Sequence, residues 1–378
     1  MGFLHSFNPG GVERVALRLC RAWGSDPAID VRLVVGRDEG AMRDEAPPTA
    51  VMHGLAPPRG LAKRLPSLRL LWLLLREIRR QRPDVLFVAG NTYAVFAALA
   101  RLLLGRRCPV TVLKISNDLV RLDMAPPLRG AYRLWLWLQG RLINRFTGLA
   151  APMQSEIVAA MHVPAARVTV IEDPALDAAG LAALTRLGAA RRPSATGPRH
   201  YIAVGRLVPQ KNFALAIEAF ALAAEPDDRL TIIGDGPERP RLAARIAALG
   251  LSARVAMPGH GAVAPALAAA DIFVLSSDYE ALPAVVVEAL ASGLPVVATD
   301  CCVSMRAMVG DFGTLVPRRD ARGLATAMRA QSPLDAEART AAAAAMAVFS
   351  VERAAGAYRR LFQEADLEAR PQNAILVA

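Results

Sequence analysis

Short apolar runs of strand type alternate with longer stretches of helical period along most of the chain. In the first half the runs are Phe3 to Phe7, Val31 to Val35, Val85 to Val88 and Val110 to Ile115, with a later one at Val168 to Ile171. Helical stretches separate them at Val12 to Trp23, Leu68 to Gln81, Tyr93 to Leu104 and Gln154 to His162. In the first of these, Val12, Val15, Ala16, Leu19 and Trp23 recur at three and four, which is one face of an amphipathic helix. The second half repeats the alternation. Its runs are Ile202 to Val204, Arg229 to Ile233, Val255 to Met257, Ile272 to Leu275, Pro295 to Ala298 and Gly313 to Val316. Continuous apolar strands spaced by helices predict parallel sheets covered on both faces. At 378 residues the chain exceeds one ordinary core, so two α/β domains are expected, facing each other across a cleft.

The expected division is residues 1–187, a linker over 188–200, and a second domain over 201–350. Gly188 to His200 is rich in Ala, Arg, Pro and Gly, as linkers are. A last helix over about residues 351–365 is expected to pack back on the first domain. Residues 119–145 interrupt the rhythm: after a loop, Arg129 to Arg145 reads as a basic helix with Trp135 and Trp137 among arginines, followed by a short strand at Leu149 to Pro152.

Charge is placed unevenly. Residues 51–150 hold 17 Lys and Arg against 4 Asp and Glu, more than the whole excess of +11. A basic helix with interfacial aromatics suits an anionic membrane surface, so residues 59–145 are expected to face one. An ordinary core helix with solvated arginines is the plainer alternative. No apolar run reaches the ~18 residues of a spanning helix. Met1 to Leu4 lacks the order of a signal peptide. Four cysteines without a C-x-x-C fit a reduced, cytoplasmic setting, peripheral on the inner face of the cell membrane. Nucleic acid is a poorer partner, because no recognition motif accompanies the charge.

The stretch DIFVLSSDYEALPAVVVEALASGLPVVATD, Asp271 to Asp300, reads strand, loop, helix, strand. It carries Glu280 on the loop and Glu288 in the helix. Loops at the C-terminal ends of parallel strands are where such sheets bind ligands. A βαβ unit with one solvated Glu and one turn Glu explains the spacing equally well. Elsewhere, Arg206 and Lys211 lie five apart on a loop that opens at Gly205. An arginine fork and a lysine point charge can together grip a diphosphate. A carboxylate accepts two hydroxyls, so Glu288 can hold a ribose diol and Glu280 a sugar. Gly10-Gly11 before a helix is a serviceable anion site, or a tight turn. Gly234-Asp235-Gly236 is no dinucleotide fingerprint, since Arg239 stands where the third glycine belongs. No His, Cys, Asp or Glu cluster has metal-ligand spacing, so neither metal nor cofactor is expected and the cations would neutralise the diphosphate.

SFNPGGVERVALRL, VIEDPAL, VGRLVPQKNFALAIEAF, LTIIGDGPERPRL, VAMPGH, the 271–300 stretch and GTLVP together resemble the retaining glycosyltransferases of family 4, also called group 1. The resemblance implies the GT-B fold, two Rossmann-like parallel-sheet domains. It implies that Glu288 binds the ribose of a nucleotide-sugar donor and Glu280 its sugar, and that Arg206 and Lys211 stabilise the leaving diphosphate. Gly11 brings backbone N–H groups to the donor, and His260 meets the base. Gly205, Ala281, Leu282 and Pro283 complete the donor side; Gly10, Asn117 and Asp118 belong to the acceptor side. The expected activity is metal-independent hexosyl transfer from a UDP- or GDP-sugar to a glycan or lipid-linked acceptor, in polysaccharide or lipopolysaccharide synthesis.

Three departures from the family pattern stand out. Ala281 occupies the place of a common glycine. Ser116-Asn117-Asp118 stands where a histidine is frequent, so Asp118 is a candidate proton acceptor or a structural turn residue. The first strand is also short. A sugar-nucleotide epimerase and a non-catalytic protein of the same fold are the rival readings.

Overall fold

The computed structural model describes residues 1–8, 10–46, 66–117, 119, 124–191 and 197–369. They form two compact units, residues 1–174 with 351 onward, and residues 175–350. Each is built on a parallel six-stranded sheet.

In the first unit the strands are β1 (Gly2–Leu4), β2 (Leu33–Val35), β3 (Val85–Val88), β4 (Val110–Lys114), β5 (Arg145–Gly148) and β6 (Val168–Val170). Their order is β2-β1-β3-β4-β5-β6. The chain passes from β1 outward to β2, then crosses to the other side of β1 and runs on in one direction. Right-handed crossovers therefore place α1 (Gly11–Gly24) on one face. They place α2 (Pro66–Gln81), α3 (Ala94–Leu104), α4 (Pro126–Leu142) and α5 (Ala151–Met161) on the other. The final helix α14 (Val351–Ala369) packs beside α1. Trp23 Nε1 donates to the Ala355 carbonyl at 3.1 Å, and Tyr358 shares a 2.9 Å hydrogen bond with Thr147. Trp23, Phe87, Tyr358 and Phe362 meet edge to face or tilted, with centroids 5.1–6.1 Å apart, so α14 closes this core with aromatic surface.

The second unit contains β7 (His200–Val204), β8 (Arg229–Ile233), β9 (Val255–Gly259), β10 (Ile272–Leu275), β11 (Val296–Thr299) and β12 (Gly313–Val316), in the order β12-β11-β10-β7-β8-β9. Successive strand residues serve opposite faces. Tyr201, Ala203, Ile272 and Val274 pack toward α7 (Phe213–Ala223), α8 (Arg239–Ala248) and α12 (Ala321–Ala330). Ile202, Val204, Phe273 and Leu275 pack toward α6 (Ala178–Ala190), α9 (Val263–Ala269), α10 (Ala284–Ala291), α11 (Met305–Val309) and α13 (Ala336–Met346).

Three segments differ from the sequence reading. The units divide at Pro174 and Ala175, not at 187, because the residues after Asp177 form a helix of the second unit. Asp177 caps α6 by accepting from Gly180 N at 2.7 Å. A Cβ on Gly188 would lie 3.0 Å from the Ser292 backbone, and Arg191 donates to the carbonyls of Ser292 and Ala270. The start of the expected linker is thus fastened to α10 and α9, and residues 192–196 lie outside the described part. Around 126–161, the helix starts earlier, with Pro126 and Pro127 in its first turn, and ends at Leu142. Arg145–Gly148 is the strand, and residues 151 and 152, expected in a strand, open α5.

Candidate functional site

In the second unit the chain leaves β7 in one direction, through β8 to β9, and returns to place β10 on the opposite side of β7. The two loops that diverge there are 205–212 and 276–283, and such a switch point is where an open parallel sheet leaves a crevice for ligands. Lys211 and Glu280 meet over it: Lys211 Nζ donates to Glu280 Oε1 at 2.5 Å, with side chains 17% and 9% exposed.

Backbone geometry builds this contact. Gly205 lies at φ +158 and its N–H donates to Ile233 O at 2.9 Å. Residues 209–211 form a single 3₁₀ turn, and Asn212 follows in the left-handed region at φ 44 before α7 begins. Ser276 Oγ holds the Lys211 carbonyl at 3.0 Å. From the other loop, Ser277 Oγ donates to Glu280 Oε1 at 2.7 Å, and the Glu280 N–H reaches the Cys301 carbonyl at 3.4 Å. Both donors converge on Oε1; among the described residues Oε2 has no hydrogen-bonding partner.

Asp278 locks the two loops together. Its N–H donates to Gln210 O at 2.9 Å, and its carboxylate accepts from Asn212 Nδ2 at 3.1 Å. Gln210 Nε2 returns a bond to the Tyr279 carbonyl at 2.9 Å. From the loop after β12, the Arg319 guanidinium clasps the Asp278 carboxylate with its closest contact at 2.8 Å. That fork, joined by Asn212, holds the Asp278 carboxyl below the usual carboxylate range. The Cys301 thiol is pushed above its ordinary value by its hydrogen bond with Cys302 and by burial, so it stays protonated.

The 234–238 loop also proves to be part of this frame. A Cβ on Gly234 would stand 1.9 Å from Gly205 O, and one on Gly236 would stand 2.5 Å from Leu207 O. Leu207 N donates to Asp235 O and Glu238 N to Leu207 O, each at 2.9 Å. Both glycines therefore serve the close approach of two loops.

Other sequence-derived residues fall in place more loosely. Arg206 is exposed, with no side-chain partner among the described residues. Glu288 is half-buried in α10, and Ala281 and Leu282 are half-buried ahead of Pro283, the residue before that helix. His260 is exposed just after Gly259, which lies at φ +90.

In the first unit, Gly10 precedes α1 in extended conformation, and Gly11 has open space around it. A Cβ on Gly10 would lie 2.1 Å from a Glu13 carboxylate oxygen, so this helix N-terminus carries an acid of its own. Glu13 in turn accepts from Tyr93 Oη at 3.0 Å. Asn117 is exposed after Ser116, whose N–H donates to Asn91 Oδ1 at 2.8 Å. Asp118 lies outside the described residues. Beneath this loop a buried ion pair, Lys114 with Asp173 at 2.8 Å, was not read from the sequence.

Ser277, Asp278 and Arg319 were missed as well. The first two sit inside the 271–300 stretch. Arg319 gives no local signal, because its partner is 41 residues away.

Residues 10–174 match the family model of a glycosyl transferase 4-like domain, and residues 198–331 that of glycosyl transferases group 1. The lipopolysaccharide core biosynthesis glycosyltransferase LpsE of Rhizobium meliloti is 40% identical over 129 residues, 34% of this chain and 37% of that one. An exopolysaccharide phosphotransferase of Streptomyces coelicolor is 40% identical over 143 residues, 36% of this chain and 15% of that one. The chain thus spans well under half of either relative. The crystal structure of Anabaena HepE in complex with UDP superposes with a TM-score of 0.71 at 20% identity, over 96% of this chain and 100% of that one. The two family matches cover most of the chain, and the two parallel-sheet units share their fold with HepE. The chain belongs to the group 1 glycosyltransferases of GT-B fold, with a glycosyl transferase 4-like first domain.

Proposed function

We propose that the protein transfers a hexose-type sugar, with retention, from a UDP- or GDP-sugar to a glycan or lipid-linked acceptor in cell-surface polysaccharide or lipopolysaccharide synthesis. The observation that carries this is the Lys211–Glu280 pair over the β7/β10 switch point. One carboxylate oxygen is taken by Lys211 and Ser277, which leaves Oε2 for a sugar hydroxyl. Lys211 retains further N–H donors for a diphosphate, and the exposed Arg206 adds a guanidinium fork. Glu288 anchors the ribose, and His260 marks the base side. The names of LpsE and of the exopolysaccharide phosphotransferase support the setting, and the UDP bound to HepE supports the donor class.

The glycosidic C–O bond breaks first and the nucleoside diphosphate leaves with its electron pair. Lys211 and Arg206 stabilise the charge that develops on it, without a metal ion. The acceptor hydroxyl attacks the oxocarbenium-like centre from the face that the diphosphate left. Its proton passes to the leaving phosphate, with Asp118 a second candidate acceptor. The reaction takes place at the cytoplasmic face of the membrane.

Incubation with donor and acceptor, followed by NMR of the product anomer, tests the proposal. A retained linkage is expected, and an inverted one would contradict it. A new sugar nucleotide formed from donor alone would favour epimerisation instead. Lys211→Ala is expected to lower kcat by about 10²–10³, with circular dichroism unchanged; an unaltered rate would remove Lys211 from the site.

A further inference from the structure

Helices on the surface of a sheet ordinarily bury one stripe and turn a polar one to water. Helices α2, α3 and α4 do not. They lie side by side on one face of the first unit's sheet, and each carries a second apolar stripe pointing outward. Nine of the twelve exposed large apolar side chains among the described residues belong to these three helices. On α2, Leu68 and Trp72 are 59% and 55% exposed, and Arg76 continues the same line at a spacing of four. On α3, Val95, Leu102 and Leu103 fall at i, i+7 and i+8. On α4, Leu134, Trp137 and Leu138 recur at three and four, with Arg141 next on that face; Leu128, also exposed, lies off this stripe near the helix start. Neighbouring helices thus carry exposed apolar stripes on one side of the unit, and grouped exposed apolar side chains mark an interaction surface.

Its charge names the partner. α3 and α4 contain no acidic residue, and the one acid of α2, Glu77, is 1% exposed and bonded to Arg80. Arg76, Arg79, Arg80, Arg133 and Arg141 are exposed on α2 and α4. The Arg76 guanidinium lies 5.5 Å from the Trp72 ring centre, and Arg141 lies 5.2 Å from that of Trp137. Each tryptophan thus presents an apolar ring beside a cation, a pairing suited to the headgroup boundary of a bilayer. No described helix is long and apolar enough to cross a membrane.

We infer that the outer face of α2, α3 and α4 docks on an anionic lipid bilayer, with Trp72 and Trp137 as its interfacial anchors. The inference deepens the membrane part of the proposed function, but its test needs no donor, acceptor or turnover. The full chain is floated with vesicles of phosphatidylcholine alone and with vesicles containing phosphatidylglycerol. Binding is expected for the anionic vesicles, weakened by salt, with a blue shift of tryptophan emission and quenching by brominated lipid. Trp72→Ser, at a side chain 55% exposed, is expected to lower partitioning several-fold with the melting temperature kept, and adding Trp137→Ser, at one 37% exposed, to lower it by about tenfold or more with circular dichroism showing the fold kept. No binding to anionic vesicles, or undiminished binding of the double variant, would overturn the inference. So would self-association through this face without lipid affinity. A wild-type chain that binds vesicles yet no sugar nucleotide would leave the docking face standing and remove the transferase reading.

Discussion

At the scale of single residues, the site depends on a carboxylate that makes no proposed contact with substrate. Asp278 joins the loop bearing Lys211 to the loop bearing Glu280, and Arg319 fixes it from a third. Its folded-state carboxyl is held below the ordinary value of 3.8. The stabilisation is therefore complete above that value and is lost as pH falls through the depressed folded one. Asp278→Asn is expected to flatten this acid limb of stability, measured as urea midpoints between about pH 5 and pH 3. Parallel curves for the two proteins would show that the clasp is not coupled to folding. The same variant should lower kcat less than Lys211→Ala does, because Ser276 and Ser277 still hold Lys211 and Glu280 from their backbone and side-chain sides.

At the scale of elements, the loops after β7 and β8 are packed backbone on backbone. Gly234 stands at φ +140 with Gly205 O where a Cβ would go. Gly234→Ala is expected to destabilise the protein by roughly 2–4 kcal/mol through strain and displacement of the Lys211 loop. An unchanged melting temperature would contradict that packing. Much of this layer was legible beforehand. Strands β8, β10 and β12 have the ends that their sequence runs predict; for β10, IFVL and buried at all four positions, the reason is that a strand covered on both faces is apolar throughout and is cut sharply by polar loops. What escaped was set by tertiary contact. The last residues of α6, 188–190, read as the start of a linker, yet a Cβ on Gly188 would lie 3.0 Å from the Ser292 backbone, so the glycine lets the helix end sit tightly against the end of α10. α11, five residues long, was missed because one turn shows no period. The site divided in the same way. Glu280, Arg206 and Lys211 were singled out because charged residues on loops at strand ends carry a chemical reason, and Glu288 because it stands on the helix that follows. The clasp of Asp278 by Arg319 was not, because pairing over 41 residues leaves no local pattern.

At the scale of the molecule, two units of the same architecture carry different surfaces. The first unit holds the excess of positive charge and the exposed apolar stripes of α2, α3 and α4. The second holds the acid–base pair at its switch point, with a nearly balanced charge. Such a division suits an enzyme that takes a small soluble donor on one domain and meets a membrane-bound acceptor with the other. The central claim is that Lys211 and Glu280 form a nucleotide-sugar site, and donor binding tests it before any acceptor is known. Unfolding is followed with UDP-, GDP- and ADP-sugars for the wild type, Lys211→Ala and Glu280→Ala. One UDP- or GDP-sugar should stabilise the wild type by ~2.7 kcal/mol at about 100 times its Kd, with the gain largely lost in both variants. If no sugar nucleotide stabilises the wild type, or if both variants gain as much as it does, the site lies elsewhere.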